Sequence, residues 1–528
     1  MGNKKLQVWL PLLFSLVLIA GMFLGYQMNK KGKNNFFTSN RRTPLQEALD
    51  IIRIKYVDTV NIDSLEGRAI EEMMTELDPH SVYLPPVDVK EANEDLAGNF
   101  QGIGVEFNIF NDTVNVIYVI PGGPSEKAGL ITGDQILRVN DSVITKRGFD
   151  ADAVKKYIKG PAGSKARLLI QRGRQQLAIT ITRGTIPVSS VDASYMLDKT
   201  TGYIRLDKFS EKSYEEFMQA LEALKKQGMQ QLVFDLRGNG GGLMEEAVDM
   251  ADEFLDGDKL VVYMQGANTK KKEYRCKRPG LLEKGKLVLL VDELSASASE
   301  VLAGSLQDWC RAKIIGRRTF GKGLVQQQYP LSDGAALRLT IARYYTPLGR
   351  SIQRSYAKGK KIYMDELWER YSSGEMFSLD SVRNHKNGKK FPNHCNDTLY
   401  EGDGITPDIF VPVDTSFSYE NINKWLGSNR LNQFVYTFYL EHKDELNRFA
   451  SVTDYTRNFS AVKLWESIVQ KTAGDSLSVS SLSNAEKEKL QLRLKGMLAR
   501  YRWRNSGFYQ VINTDDPVIK KSIEVIEK

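Results

Sequence analysis

The chain has 528 residues, of which 41% are hydrophobic and 26% charged, with a net charge of +8. That is too long for one ordinary core and too apolar for wholesale disorder, so about three folded units are expected. The Lys and Arg are spread along the chain, with clusters at 30–42, 270–278 and 386–390, and no aromatic-interleaved basic motif accompanies them. These charges read as solvated faces, with no nucleic-acid partner.

In chain order, residues 7–28 are nearly uncharged and apolar, flanked by Lys4, Lys5, Lys30 and Lys31. This length suits one membrane span, read as an uncleaved signal anchor, with a cleaved signal peptide as its rival. Residues 1–6 are then a cytoplasmic tail and 29–42 a linker. The body is expected on the far side of the inner membrane, in the periplasm or outside the cell. Residues 43–97 carry helical periodicity at Leu45, Ala48, Leu49 and Ile52 and again around Ile70–Leu77. Residues 98–184 read as a small β-rich domain, with strands at Ile103–Phe110, Val114–Val119, Gln135–Val139, Ala166–Gln171 and Gln176–Thr182 and a helix at Ala151–Ile158. From 185 to 414 short apolar strands alternate with helices, including Gly202–Leu206, Gln231–Leu236 and Lys286–Asp292. That is the pattern of an α/β core with parallel strands. Residues 356–400 are polar and basic and read as an inserted excursion; 415–528 are helical, of unassigned role.

The three cysteines, Cys276, Cys310 and Cys395, show no zinc spacing, and any disulfide leaves one thiol over. The four histidines, His80, His385, His394 and His442, lie outside the loop segments of the α/β core, so a Ser-His-Asp triad is poorly supplied.

Two turns of the core carry chemistry. DLRGNGGG (Asp235–Gly242) lies between a buried strand and a helix. Its glycines permit a sharp turn whose N–H groups, at a helix N-terminus, favour an anion: a phosphate or an acyl-transfer oxyanion. A merely structural tight turn reads the same way. VDELSASASE (Val291–Glu300) again joins strand to helix, and both turns fall at the carboxyl ends of strands, where α/β proteins bind ligands. Ser295, Ser297 and Ser299 also suit helix capping, and residue chemistry alone does not choose among them. Downstream, Lys322 sits between Gly321 and Gly323. Buried, a lysine is pushed toward its neutral form and can replace histidine as the base for a serine. Gln326, on the same face if the segment is a strand, would orient the amine.

At these residues the chain resembles the carboxyl-terminal processing peptidases, the tail-specific serine proteases of family S41. The matching segments are SASASE (Ser295–Glu300), Gln307–Asp308, TFGKGLVQ (Thr319–Gln326), DLRGNGGG, ARYYTPLGRSIQ (Ala342–Gln353), GITPD (Gly404–Asp408) and LDPHSVYL (Leu77–Leu84). The resemblance covers roughly 45–414 and implies a crotonase/ClpP-like α/β protease core. It makes Ser297 the nucleophile, Lys322 the base and Gln326 its positioner. Ala298 and one of Gly240, Gly241 and Gly242 form the oxyanion hole, with Asp308 as a supporting residue and no cofactor or metal. FQGIGVEF (Phe100–Phe107) and Pro121–Asp141 resemble a PDZ domain, which implies that Gln101, Gly102, Ile103, Gly104 and Val105 bind a peptide C-terminus. Partners would be proteins with unstructured C-termini; a homo-oligomer or an adaptor protein is left open. The alternatives are a catalytically idle PDZ scaffold or chaperone, and an enzyme that uses the glycine turn for a phosphate or thioester.

Overall fold

A computed structural model describes residue 9 and residues 14–23, 43–378, 388–414, 429–472 and 482–528. The chain divides into two compact units, Met1–Met73 and Met74–Lys528. In the first, a helix at Pro44–Lys55 starts on a Thr43 capping box with Pro44 in its first turn, and a second begins at Ile62.

The expected membrane span is corrected here. Among the described residues no helix is long and apolar enough to cross a membrane. Within 7–28 the described helical residues are 9 and 14–23, fewer than the about 20 consecutive apolar residues that a hydrocarbon core of roughly 30 Å requires. The placement in the inner membrane falls with it. The tail 1–6, the linker 29–42 and the remaining positions of 7–28 lie outside the described residues, as does His385.

The second unit is built on a six-stranded sheet in the order Val191–Met196, Thr201–Leu206, Gln231–Asp235, Leu287–Val291, Lys313–Gly316 and Ile409–Phe410. Its first pair is antiparallel and the others are parallel. Parallel neighbours need crossovers, and helices Ser213–Lys226, Met244–Asp252 and Ala298–Asp308 lie on those connections. Alternate residues of each strand point to opposite faces. Leu232, Phe234, Leu287 and Leu289 pack under the crossover helices. Tyr203, Val233, Val288, Leu290 and Ile315 pack on the other face against Val518, Ile519 and Ile526 of the last helix, Pro517–Glu527.

A second, antiparallel sheet holds Ala336–Tyr345 at its centre, paired with Val82–Leu84, Leu260–Gln265 and Leu324–Pro330. Strands between Val105 and Thr182 form a separate six-stranded antiparallel sheet with its own core around Val116, Ile136 and Ile170. Asn99–Gly102 and Gly184–Pro187 pair at its stem. The polar stretch read as an excursion is instead tied down: helix Lys360–Ser372 brings Arg370 to Glu375, which also accepts from buried Arg318. Pairing of Arg318 and Arg370 with Glu375 is a long-range tie, which composition does not reveal. Cys310 and Cys395 form a disulfide. Cys276 is the thiol left over, buried and pushed up to about 12 by its burial.

Candidate active site

Strands Gln231–Asp235 and Leu287–Val291 are parallel neighbours, so the turns that follow them emerge side by side. The Ala296 N–H and the Ser299 hydroxyl both donate to the Asn239 carbonyl, at 3.0 and 2.9 Å. Ser295 Oγ donates to the Leu236 carbonyl at 2.8 Å. Two of the three serines are therefore buried and committed to the neighbouring turn. Ser297 is half-buried and holds φ 55°, ψ −114°, directly before the helix Ala298–Asp308. A non-glycine residue at such a φ costs about 1–3 kcal/mol and persists only where its surroundings impose it.

The close approach that imposes it is at Gly241. A Cβ there would lie 2.7 Å from Ser297 Cβ and 3.0 Å from the Ala298 nitrogen. The Gly241 N–H donates to Asn239 Oδ1 at 2.8 Å, so it is spent within the turn. The Gly242 backbone passes against Phe209, whose carbonyl accepts from Leu243 at 2.8 Å. Gly240 has open space on its Cβ side. Ala298 opens its helix, where an N–H has no intrahelical partner.

Lys322 Nζ donates to Gln326 Oε1 at 3.0 Å, and Gln326 Nε2 donates to the His80 carbonyl. Lys322 lies two residues ahead of the strand Leu324–Pro330, and the register slips between Val325 and Gln326. The two side chains thus meet across a loop and a bulge, not along one strand face. Burial, joined by the charge of Arg338, lowers the Lys322 amine from its ordinary 10.5. Among the described residues no carboxylate lies within ion-pair distance of it.

Residues that sequence reading passed over hold these parts together. Glu300, fully buried, accepts from the Ser297 N–H at 2.9 Å, the Lys322 N–H at 2.8 Å, the Gly321 N–H at 2.7 Å and the Thr319 hydroxyl. Burial pushes its carboxyl up while these donors pull it back. The Tyr344 hydroxyl faces the carbonyls of both Ser297 and Lys322. The glutamate of SASASE was visible only as half of a capping box, which reads as helix initiation. His80 Nε2 lies 2.9 Å from the Tyr363 hydroxyl; burial and then Lys322 lower its ring to about 4. His394 stacks on Trp309 and His442 on Phe438.

Asp308 sits at the far end of the serine helix, about 16 Å along its axis from Ser297. It accepts from Arg350 Nη2 at 2.6 Å and from the Leu348 N–H at 3.0 Å. Its support goes to the loop after the long strand, not to Ser297 or Lys322.

At the root of the glycine turn, buried Asp235 accepts from Tyr203, Arg237 and Arg205. Burial raises its carboxyl, but Arg237 and Arg205 more than offset this and hold it below the usual range.

In the β-rich domain, Gly102, Ile103, Gly104, Val105, Phe107 and Ile158 line a cavity of about 680 Å³. Among the described residues no backbone carbonyl accepts from the Ile103 or Gly104 N–H. Gln101 does not line this cavity; its side chain accepts from the Ala162 N–H at 3.2 Å. The opposite wall is the helix Pro86–Ala97, which brings Val87, Glu91 and Glu94.

Residues 200–359 match peptidase family S41 and residues 116–172 match the PDZ domain. The chain is 32% identical over 387 residues to the carboxy-terminal-processing protease of Bartonella bacilliformis, covering 71% of this chain and 88% of that one. It is 30% identical over 391 residues to the carboxy-terminal processing protease CtpA of Bacillus subtilis, covering 73% and 82%. Among solved structures, the photosystem II D1 C-terminal processing protease is 27% identical, with 73% and 91% covered and a TM-score of 0.37. An α/β core with a PDZ domain and these relatives define a peptidase of the carboxy-terminal processing kind. The chain belongs to peptidase family S41.

Proposed function

We propose that this peptidase captures unstructured protein C-termini in its PDZ groove and cleaves internal peptide bonds through a Ser297–Lys322 dyad and an acyl-enzyme. The PDZ domain would span 98–184 and the protease core 185–414. The observation that carries the reading is a buried lysine whose amine meets a neutral amide oxygen instead of a carboxylate. Such an amine can be neutral and accept a proton.

In the first step Lys322 takes the proton of the Ser297 hydroxyl as Oγ bonds to the scissile carbonyl carbon. The electron pair of the C=O moves to oxygen. That oxyanion meets the Ala298 N–H and an N–H of Gly240 or Gly242, since the Gly241 N–H is already engaged. Collapse breaks the C–N bond, and the Lys322 ammonium returns its proton to the departing amine. Water then loses a proton to Lys322 and attacks the ester, releasing the carboxylate product and restoring Ser297. Gln326 holds the amine in line.

In the PDZ groove the free N–H groups of Ile103 and Gly104 would take the terminal carboxylate, with the peptide lying as a strand beside Val105–Phe110. Lys155, Lys156, Lys159 and Lys208 on the lining are balanced by Glu91, Glu94, Asp95 and Asp152, so the two N–H groups and not the net charge carry this reading. The test incubates the full chain, Ser297→Ala and Lys322→Ala with casein and with a peptide ending in a free apolar carboxylate. Cleavage by the parent, absent in both variants, is expected; cleavage retained by Ser297→Ala overturns the dyad. Tail binding with no cleavage by the parent would favour an idle PDZ scaffold, and equal binding of the amidated peptide would refute carboxylate capture.

A further inference from the structure

The segment 429–528 lies beyond the residues that match either family. It nevertheless reaches the root of the glycine turn. Arg237, the third residue of DLRGNGGG, is held on two sides. Its Nε and Nη2 donate to Asp235 at 2.9 and 2.7 Å. Its Nη1 donates to Asp516 Oδ2 at 2.8 Å, a partner 279 positions away in the chain. The other Asp516 oxygen accepts from the N–H groups of Val518 and Ile519 at 2.8 and 3.2 Å, capping the last helix. That helix is fixed on the sheet by Val518, Ile519 and Ile526. Both partners are largely enclosed, Asp516 at 19% and Arg237 at 15% side-chain exposure, so the pair is weakly screened. The Arg237 carbonyl in turn accepts from Arg205 Nη2 at 2.6 Å, and the next residue, Gly238, donates to Asp292 at 2.9 Å.

We propose that Asp516 is a positioning residue for the reaction: it fixes Arg237, and through it the path of the 238–242 turn that presents N–H groups to the oxyanion. The inference rests on the serine-peptidase reading given above. A rigid donor array stabilises a transition state because its dipoles need no reorganisation when charge develops, so an anchor at the root of the array acts on the chemical step. With Asp516 removed, Arg237 keeps one carboxylate where it now bridges two, and the turn gains freedom at its first residue. The anchor is thus Asp516 alone, at the start of the last helix, and is separate from the helix's packing on the sheet.

The decisive comparison is Asp516→Asn in the full chain. Asparagine caps a helix as well as aspartate does, so the last helix keeps its start. Its amide N–H₂, however, faces the Arg237 guanidinium. Expected is a fall in kcat of about tenfold, less than the roughly hundredfold that loss of an oxyanion donor itself brings, with KM within about twofold, because the oxyanion exists only after substrate is bound. Asp516→Glu restores most of kcat. Ile526→Ala, which loosens the same helix without touching the pair, lowers Tm and leaves kcat in place. Hydrogen exchange of the 235–243 segment is read in parallel and needs no activity: Asp516→Asn accelerates it and Ile526→Ala does not. Unchanged exchange overturns the anchor. Faster exchange with parental kcat overturns its part in the reaction, as does a loss of kcat that merely follows Tm in both variants. Failure of the peptidase reading shows separately, as Ser297→Ala cleaving like the parent.

Discussion

Replacing Glu300 with glutamine tests whether one buried carboxylate holds the two halves of the proposed dyad in register. Four donors converge on it: the N–H groups of Ser297, Gly321 and Lys322 and the Thr319 hydroxyl. Glutamine offers a single oxygen, which serves two of them. Its amide turns two hydrogens toward the others; Thr319 can rotate, but at least one backbone N–H is left buried and unpaired. An orphaned N–H costs roughly 1–3 kcal/mol, and a hydrogen bond to a charged group is worth about 1.5–3. Relief of burying a charge offsets part of this. The net loss should be about 2 kcal/mol, read as a lower urea midpoint. The kinetic effect should be larger. Ser297 and Lys322 are separated by 25 positions and share few other ties, and a misplacement of about 1 Å costs on the order of a hundredfold in rate. The assay is kcat and KM on the tail peptide beside urea unfolding of both proteins. A Glu300→Gln enzyme with parental kcat would refute the argument, whatever its stability.

Other outcomes follow from the same geometry. Lys322→Met should abolish cleavage yet stabilise the fold. The folded amine titrates below the unfolded one, so in the window between them the unfolded chain binds more protons and parental stability rises with pH. Methionine removes that slope, and a variant less stable than the parent at neutral pH would contradict the burial. In the parent, kcat/KM should climb with pH through an acid limb set below 10.5, because the base must be neutral; a limb at or above that value excludes Lys322. Gly241→Ala forces a Cβ to 2.7 Å from both Ser297 Cβ and the Ala296 carbonyl at φ +99°. Overpacking of this kind costs about 1–3 kcal/mol, and cleavage should disappear; full activity in that variant would mean the turns are not in contact. His80, at about 4 in the fold against 6.5 free, makes stability fall as pH drops from 6.5 toward 4. After discounting for its partial exposure the loss is about 1–2 kcal/mol. His80→Asn should flatten that limb, and an unchanged acid profile would refute it.

Local patterns in the sequence reached the elements well and the long-range ties poorly. Helix Ala151–Ile158 and strand Gln135–Val139 fall where their periodicity puts them, because one buried face per element sets the pattern. On residue chemistry alone the three serines had equal claims, and only the resemblance chose Ser297. What separates them is a pair of carbonyls, Leu236 and Asn239, some 60 positions upstream, and no local propensity encodes such partners. Gln326 was placed beside Lys322 by a strand-face argument, whereas a loop and a bulge bring them together. Asp516 gave no signal, because an N-cap aspartate before a proline is sufficient explanation for itself. The apolar run at 7–28 shows the opposite failure: composition alone suggested a span, and among the described residues no helix is long and apolar enough to make it.

The covering of the central sheet sets an order of assembly. Tyr203, Val233, Val288, Leu290 and Ile315 are all made well before Val518, Ile519 and Ile526, which bury them. A ribosome adding roughly 5–20 residues per second takes on the order of 15–60 s to pass from the glycine turn to Asp516. Through that interval the emerging core carries an uncovered apolar sheet face, the kind of surface chaperones hold and aggregates recruit. A nascent chain stalled before residue 516 would be sticky and without its last helix. A protease whose final layer is a late-made helix is therefore one that its own synthesis keeps unfinished until most of the chain is out.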